Sequence, residues 1–396
     1  MTESIDLRRR QVLAASAAGT AAGLAGFSPG SRAQDKPLPG FASFKDASRV
    51  IVHSANTIET KRAAFGTSGV TDEEILFVRN NLSPPPESIT RNPDAWQVEF
   101  QGVANARTLS VADLKRLGLQ SVSMVLQCSG NGRGFFDHKA SGTQWKVGAA
   151  GNTLWSGVPV KSVVDHLGGV RQGMRYMTGT GGETIPPGID PKTVVVERSV
   201  PAEAMQEALL AWELNGSPIP VAHGGPLRLI VPGYYGVNHV KYIKRLAFTE
   251  AQTEANIQAS SYRVRPIGVK GAPSQPSMWE MNVKSFITHP AGGPEPLRAG
   301  AAQVYGVAFS FGGVRSVEVS LDGGRSWRQA QFFGPELGPH AWRQFVLPVR
   351  LDPGSHVFAS RATSASGDTQ PELRVENERG YGHNGWRDHA VKFTVT

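Results

Sequence analysis

The chain has 396 residues, a formal net charge of +8, 40% hydrophobic and 19% charged residues, and one cysteine, Cys128. That composition is globular rather than disordered, and a single cysteine excludes an internal disulfide, a four-cysteine iron–sulfur cluster, a Cys-x-x-Cys-His haem attachment and a cysteine-rich zinc knuckle. The positive charge is thinly spread, so no nucleic-acid surface is indicated, while 45 glycines and 27 prolines point to many turns and short strands.

Arg8-Arg9-Arg10-Gln11-Val12-Leu13 opens a mildly apolar stretch of small residues that runs as far as Phe27. It is too short and too rich in Ala and Gly for a membrane span, and Ser31-Arg32-Ala33 has the small residues that a cleavage site requires. Twin arginines before such a core form the pattern of a bacterial Tat export signal; an ordinary secretory signal or a basic tail is the alternative. Residues 1–33 are therefore expected to be a signal, with the mature chain starting near Gln34 in the periplasm. There a lone thiol persists only if it is buried, bound or functional. No further long apolar run follows, so no membrane span is expected.

Along the mature chain, Thr71–Phe77 reads as a helix capped by Thr71 or Asp72. Trp96–Phe100 alternates like a strand, Ser110–Arg116 reads as a capped helical turn, and Ser121–Gln127 is a strand that delivers the chain to Cys128. Helices are expected at Val158–Leu167 and Ala202–Leu214, and strands at Leu227–Val231 and Val240–Phe248. The texture is α+β, without regular βαβ periodicity. After Met281, short strands recur at Val283–Thr288, Ala301–Phe309, Ser316–Leu321, Trp327–Phe332, Trp342–Val349, Ser355–Thr363 and Val391–Val395, separated by turns such as Asp322-Gly323-Gly324. That spacing suggests an immunoglobulin-like sandwich.

Two segments carry chemistry. Gln127-Cys128-Ser129-Gly130-Asn131-Gly132-Arg133-Gly134 places the cysteine at a strand end before a glycine-rich loop. Such a loop lets backbone N–H groups approach an anion, and a nearby arginine favours a thiolate. The spacing is not a dinucleotide fingerprint, and a lone cysteine is by itself most often a buried structural thiol. The second segment runs from His223-Gly224-Gly225-Pro226-Leu227-Arg228 through Pro232-Gly233 to Asn238-His239-Val240-Lys241. It gathers cations and donors around two glycine turns, as phosphate binding requires, although each histidine alone also reads as a satisfied polar residue. Gly168-Gly169 and Gly181-Gly182 read as turns. Zinc-ligand spacing and a Gly-x-Ser-x-Gly elbow are both missing.

Four segments, in this order, give the chain a resemblance to the sulfite oxidase family of molybdenum-cofactor enzymes. Phe77-Val78-Arg79-Asn80-Asn81 resembles the family's Phe-Val-Arg-Asn-His stretch, and Cys128-Ser129-Gly130-Asn131 its Cys-Ala-Gly-Asn loop. Ala222-His223-Gly224 through Lys241 resembles its pterin-binding run. Val319–Gly324 and Asn384-Gly385-Trp386 resemble its immunoglobulin-like dimerisation domain. The resemblance implies a signal at 1–33, an α+β molybdopterin-binding domain at 34–280 and an all-β immunoglobulin-like dimerisation domain at 281–396. It makes Cys128 the thiolate ligand of one molybdenum, a soft donor suited to that centre. Arg79 and Arg133 would line an anion pocket and Tyr262 would donate toward the substrate. Phe77, Arg79, Asn80, Asn81, His223, Arg228, His239, Val240 and Lys241 would hold the pterin and its phosphate.

The same resemblance implies a periplasmic sulfite dehydrogenase that oxidises sulfite to sulfate by oxygen-atom transfer. With no haem motif in the chain, the electrons would pass to an external c-type cytochrome, and the chain would form a homodimer or hetero-oligomer. A sulfane dehydrogenase subunit of the thiosulfate-oxidising system is the nearest alternative; Ser129-Gly130, against the Ala-Ala common there, leans toward sulfite. A methionine-sulfoxide reductase lacks the second domain, and a catalytically dead binding module would lack molybdenum. The chain departs from the family at Asn81, which replaces a histidine, and at Gly132, where animal enzymes carry another arginine. A third pocket arginine is sought near Gly312-Gly313, with Arg315 out of register, so a less cationic cage with salt-sensitive sulfite binding is expected.

Overall fold

The computed structural model describes residues 36–293 and 296–396; the expected signal at 1–33 lies outside them. Sheets dominate, and among the described residues the α-helices are short, the longest being Val160–His166. A three-stranded antiparallel sheet joins Val50–Ser54, Thr57–Thr60 and Val78–Arg79. A five-stranded sheet runs Ser217–Pro218, Leu209–Leu214, Ala150–Pro159, Gln120–Gln127, with Arg228–Ile230 also paired to Leu209–Leu214. Another runs Arg107–Ser110, Gln97–Gln101, Ile243–Thr249, Tyr176–Gly181, Glu197–Pro201, and its one parallel pair is Gln97–Gln101 with Ile243–Thr249. Val98, Phe100, Val163, Leu210, Leu229 and Leu246 belong to the apolar core shared by these two five-stranded sheets.

The strands from Lys284 onward form two four-stranded sheets. One is Lys284–His289, Gly300–Phe309, Arg343–Leu351, Gln331–Phe333; the other is Arg328–Gln329, Val314–Ser320, Gly354–Ser364, Val391–Val395. Inward residues of both, among them Ile287, Val304, Val317, Phe345 and Phe358, form a core of their own, as a sandwich requires. This α+β half followed by an all-β sandwich is the fold class that the strand spacing indicates. The halves interlock: the Val125 N–H donates to the His340 carbonyl at 2.8 Å, and one Arg62 nitrogen donates to the carbonyls of Ile287 and His389 at 3.1 and 3.0 Å. None of the described helices is long and apolar enough to cross a membrane.

Most of the elements stand where the pattern puts them, and Ser110 makes a full capping box with Asp113. Four differ. Ala202–Leu214 is a tight turn at Ala202–Gln206 followed by the strand Leu209–Leu214, not a helix. Leu209, Leu210 and Ala211 are buried between two neighbouring strands, and an apolar run of that kind has no period to tell strand from helix. Thr71–Phe77 makes a single turn, in which Ile75 and Leu76 donate to the Asp72 carbonyl. The Thr71 hydroxyl accepts from the Asn152 N–H instead of capping a helix. The Val158–Leu167 helix begins only at Val160, because Ala150–Pro159 continues as a strand. Trp327–Phe332 breaks at Ala330 into two strands that belong to different sheets.

Candidate cofactor and anion site

The edge of the Gln120–Gln127 sheet strand delivers Cys128 into a tight loop. The Asn131 N–H donates to the Cys128 carbonyl at 2.9 Å, and the Cys128 N–H is tied to Ala149 at 2.9 Å. The Asn131 side chain donates to Gln127 Oε1 and accepts from the Ala149 N–H, so the loop is pinned from both sides. Gly132 sits at φ +100°, where a Cβ would lie 2.6 Å from His383 Cγ. An arginine therefore does not fit there, which explains one departure from the family pattern.

Two cavities meet at the cysteine. The walls of the inner cleft include Phe77, Asn80, Ser129, Glu183, His223, Arg228, His239 and Lys241. The outer pocket is lined by Arg133, Arg379, Ser261 and Tyr381 among others. Arg79, Asn81, Cys128 and Tyr262 line both. The predicted residues thus converge, with one exception: Val240 packs into the main core and its carbonyl accepts from the Leu229 N–H.

The inner cleft is cationic and its charged groups are buried. Arg228 is 3% exposed, reaches only the carbonyls of His223 and His239, and lies over the Trp155 ring. Burial holds its pKa down to about 9. Lys241 donates to Asn80 Oδ1 and to the Ala222 carbonyl, both at 2.6 Å. Desolvation in the cleft, and then the Arg228 charge, hold it well below the ordinary lysine range. Gly224, at φ +102°, lets that side chain cross the His223 turn, since a Cβ would lie 2.7 Å from Lys241 Cγ. Buried Lys45 donates to His223 Nε2 at 2.8 Å, and burial brings this lysine down to about 7. His223 is therefore neutral, held well below its usual pKa by burial and then by the Lys45 charge.

His239 is neutral too, with burial pushing it down to about 3. Its Nδ1 accepts from the Val231 N–H and its Nε2 donates to the Tyr234 carbonyl, each at 2.9 Å. Both ring nitrogens are spent inside the protein, so this histidine presents only its face to the cleft. Glu183 is the one carboxylate in that wall, and desolvation pushes it up to about 7. Lys45 and Glu183 carry no sequence signal beyond their residue type; Glu183 follows the Gly181-Gly182 pair that reads as a turn.

The outer pocket is built from three guanidinium groups. Arg79 donates to Asn81 Oδ1 at 2.7 Å. Arg133 is 6% exposed, held by the carbonyls of Arg379 and Thr143 at 2.8 and 3.0 Å. Arg379 supplies the third, from the C-terminal half, with its Nε buried and without a protein partner. The expected location near Gly312-Gly313 or Arg315 is thus corrected. Gly312 lines a different groove, and the pocket is not short of positive charge. Nothing local in Glu378-Arg379-Gly380 signals this; only the tertiary fold brings it in.

Similarity to known proteins agrees with this geometry. Residues 84–257 match the oxidoreductase molybdopterin binding domain, and residues 275–395 match the Mo-co oxidoreductase dimerisation domain. Mitochondrial sulfite oxidase of Homo sapiens is 31% identical over 350 residues, covering 83% of this chain and 62% of that protein. The chain belongs to the sulfite oxidase family of molybdenum-cofactor oxidoreductases. Nitrate reductase [NADH] 2 of Phaseolus vulgaris is 30% identical over 347 residues, covering 80% of this chain and 38% of that one. The chain therefore spans less than two thirds of the length of these relatives. The crystal structure of the sulfane dehydrogenase SoxCD from Paracoccus pantotrophus superposes with a TM-score of 0.71 at 24% identity, covering 87% of this chain and 88% of that one, which shows a shared fold.

The family's cofactor is molybdenum held by molybdopterin, and the inner cleft suits it. Asn80 Nδ2, Ser129 Oγ and Glu183 Oε2 are buried in its wall without protein partners, ready for a polar heterocycle. Among the described residues neither Arg228 nor Lys241 is ion-paired with a carboxylate, which leaves their charge for an anionic phosphate. Cys128, 9% exposed between the two cavities, is a soft donor for the metal. Among the described residues no group of three or more His, Cys, Asp or Glu side chains is placed to hold a metal ion by itself.

Proposed function

We propose that this family member oxidises sulfite to sulfate in the periplasm and passes the electrons to an external c-type cytochrome. The observation that carries the reading is the outer pocket: three guanidinium groups and two tyrosines line a space that opens onto Cys128. Planar guanidinium forks match the oxygens of a small oxyanion and discriminate poorly in favour of neutral ligands. Bound molybdopterin supplies the metal that delivers an oxygen atom to sulfur and takes up two electrons.

The chain's own residues do the rest. Cys128 would ligate the metal through Sγ, and Arg228, Lys241 and His223 would hold the pterin and its phosphate. Arg79, Arg133 and Arg379 would bind the sulfite oxygens and leave the sulfur lone pair facing inward, toward Cys128. Tyr262 would donate its phenolic proton as a hydrogen bond to an oxyanion oxygen, offsetting charge where it accumulates. Overall, sulfite and water give sulfate, two protons and two electrons, and the chain needs a one-electron protein acceptor. The Tat signal expected at residues 1–33 supports the periplasmic placement.

The test is cytochrome c reduction by the cofactor-loaded protein with sulfite, and in parallel with thiosulfate or a protein-bound sulfane. Sulfite turnover that is lost in Cys128→Ser, together with molybdenum, is the expected result. Turnover of the sulfane substrate alone would replace this reading with that of a sulfane dehydrogenase. Molybdenum-free turnover would end both.

A further inference from the structure

The C-terminal half does more at this site than supply Arg379. Its segment 377–383 lies on the cysteine loop: the Gly382 N–H donates to the Ser129 carbonyl at 2.9 Å, and Arg133 Nε donates to the Arg379 carbonyl at 2.8 Å. Asn377 ties the segment from within, its Oδ1 accepting from the Tyr381 N–H and its Nδ2 donating to the Tyr381 carbonyl, both at 2.9 Å. The Tyr381 ring, 4% exposed, is thereby set against two groups of the outer pocket. It stacks on Tyr262, ring centroids 5.1 Å apart and planes 10° apart. The Arg133 guanidinium also lies over this ring, 5.3 Å from its centroid. Tyr262 in turn has buried Arg198 over its ring, 5.6 Å from the centroid, and Arg198 is anchored on Asn238, Ile257 and Ser277.

We propose that Tyr381 is a positioning residue that sets the Tyr262 hydroxyl and the Arg133 fork for one bound oxyanion. Arg198, Tyr262, Tyr381 and Arg133 are linked by one ring–ring stack and two cation–π contacts. Neither tyrosine can tilt without giving up stacking and cation–π contact together. The C-terminal half thus tunes anion affinity, a role apart from dimerisation. This rests on reading the outer pocket as the oxyanion site.

The test uses the cofactor-loaded full chain, with sulfate binding measured by calorimetry and sulfite KM and kcat measured alongside. Tyr381→Leu should weaken sulfate and raise KM by about tenfold with a smaller change in kcat, and Tyr381→Phe, which keeps the ring, should restore most of the loss. In a Tyr262→Phe background the loss from Tyr381→Leu should shrink by about threefold or more, because part of what Tyr381 positions is gone. Equal losses in both backgrounds would overturn the proposal, as would a Tyr381→Phe chain as impaired as Tyr381→Leu. Should Tyr381→Leu not fold, Tyr381→Met takes its place. If neither ringless variant folds while Tyr381→Phe does, Tyr381 is a packing residue and the proposal fails. A wild-type chain that binds sulfate but does not oxidise sulfite would end the sulfite reading and leave this one standing. No sulfate binding at all would overturn both.

Discussion

Asn81 holds Arg79: its side-chain oxygen accepts from the arginine Nη2 at 2.7 Å, at the mouth shared by both cavities. The residue that replaces the family's histidine thus removes a titrating group and supplies a fixed acceptor. Asn81→Ala should release the fork and raise the sulfite KM about fivefold, the cost of one partly exposed hydrogen bond of about 1 kcal/mol. Steady-state kinetics checks it; an unchanged KM would mean that Arg79 is held by the Asn80 carbonyl alone.

Arg379 brings the third charge to the pocket, with one nitrogen left free of the protein. Arg379→Ala should raise KM by about tenfold. It should also flatten the rise in KM between about 0.05 M and about 0.5 M salt, since screening acts on the charges that remain. A salt response as steep as that of the wild type would show that Arg379 does not act on the substrate.

Gly132→Ala should be markedly worse than a matched glycine substitution elsewhere. Gly132 and Gly169 both have positive φ, at +100° and +92°, but only at Gly132 does a Cβ meet a neighbour, His383. Gly169→Ala should therefore cost only backbone strain, about 1 kcal/mol, whereas Gly132→Ala should cost about 2 kcal/mol or more and reduce molybdenum content. Paired thermal melts and metal analysis decide it. Equal melting temperatures for the two variants would remove the His383 contact from the account.

Acid should destabilise the fold through its buried neutral histidines. With His239 down at about 3 when folded, the unfolded chain binds the extra proton between that value and the free-histidine range near 6.5. Stability is therefore complete above about pH 6.5 and lost as pH falls toward 3, by about 2 kcal/mol at pH 5 from His239 alone. Buried His223 and His389 push the same way. Melting temperature should fall steadily from pH 7 to pH 5, and a flat profile would contradict the neutral state of these rings.

What could be read in advance was what is contiguous. The Cys128 loop and the two clusters His223–Arg228 and Asn238–Lys241 each keep their donors within a few residues of one another, so residue type and spacing suffice to mark them. Lys45, Glu183, Arg379 and Tyr381 reach the same place from separate strands and loops, and none of them alters the local pattern around itself. Val240 shows the converse: it sits inside the marked run, yet it faces the core. The Ala202–Leu214 misreading has a similar cause, since Leu209-Leu210-Ala211 is apolar without period and only its flanking strands make it a strand. The sandwich was easier, because alternation along each strand records which side is buried.

The inner cleft also bears on how the protein persists. Arg228, Lys241 and Arg79 line the cleft with a single carboxylate, Glu183, so the polypeptide folds there against its own repulsion. A ligand that binds only the folded chain stabilises it by mass action, about 4 kcal/mol at a thousand times its dissociation constant. An anionic cofactor that also relieves this repulsion serves as part of the scaffold as well as its chemistry. The supply of that cofactor would then govern how much of the protein survives as well as how fast it works.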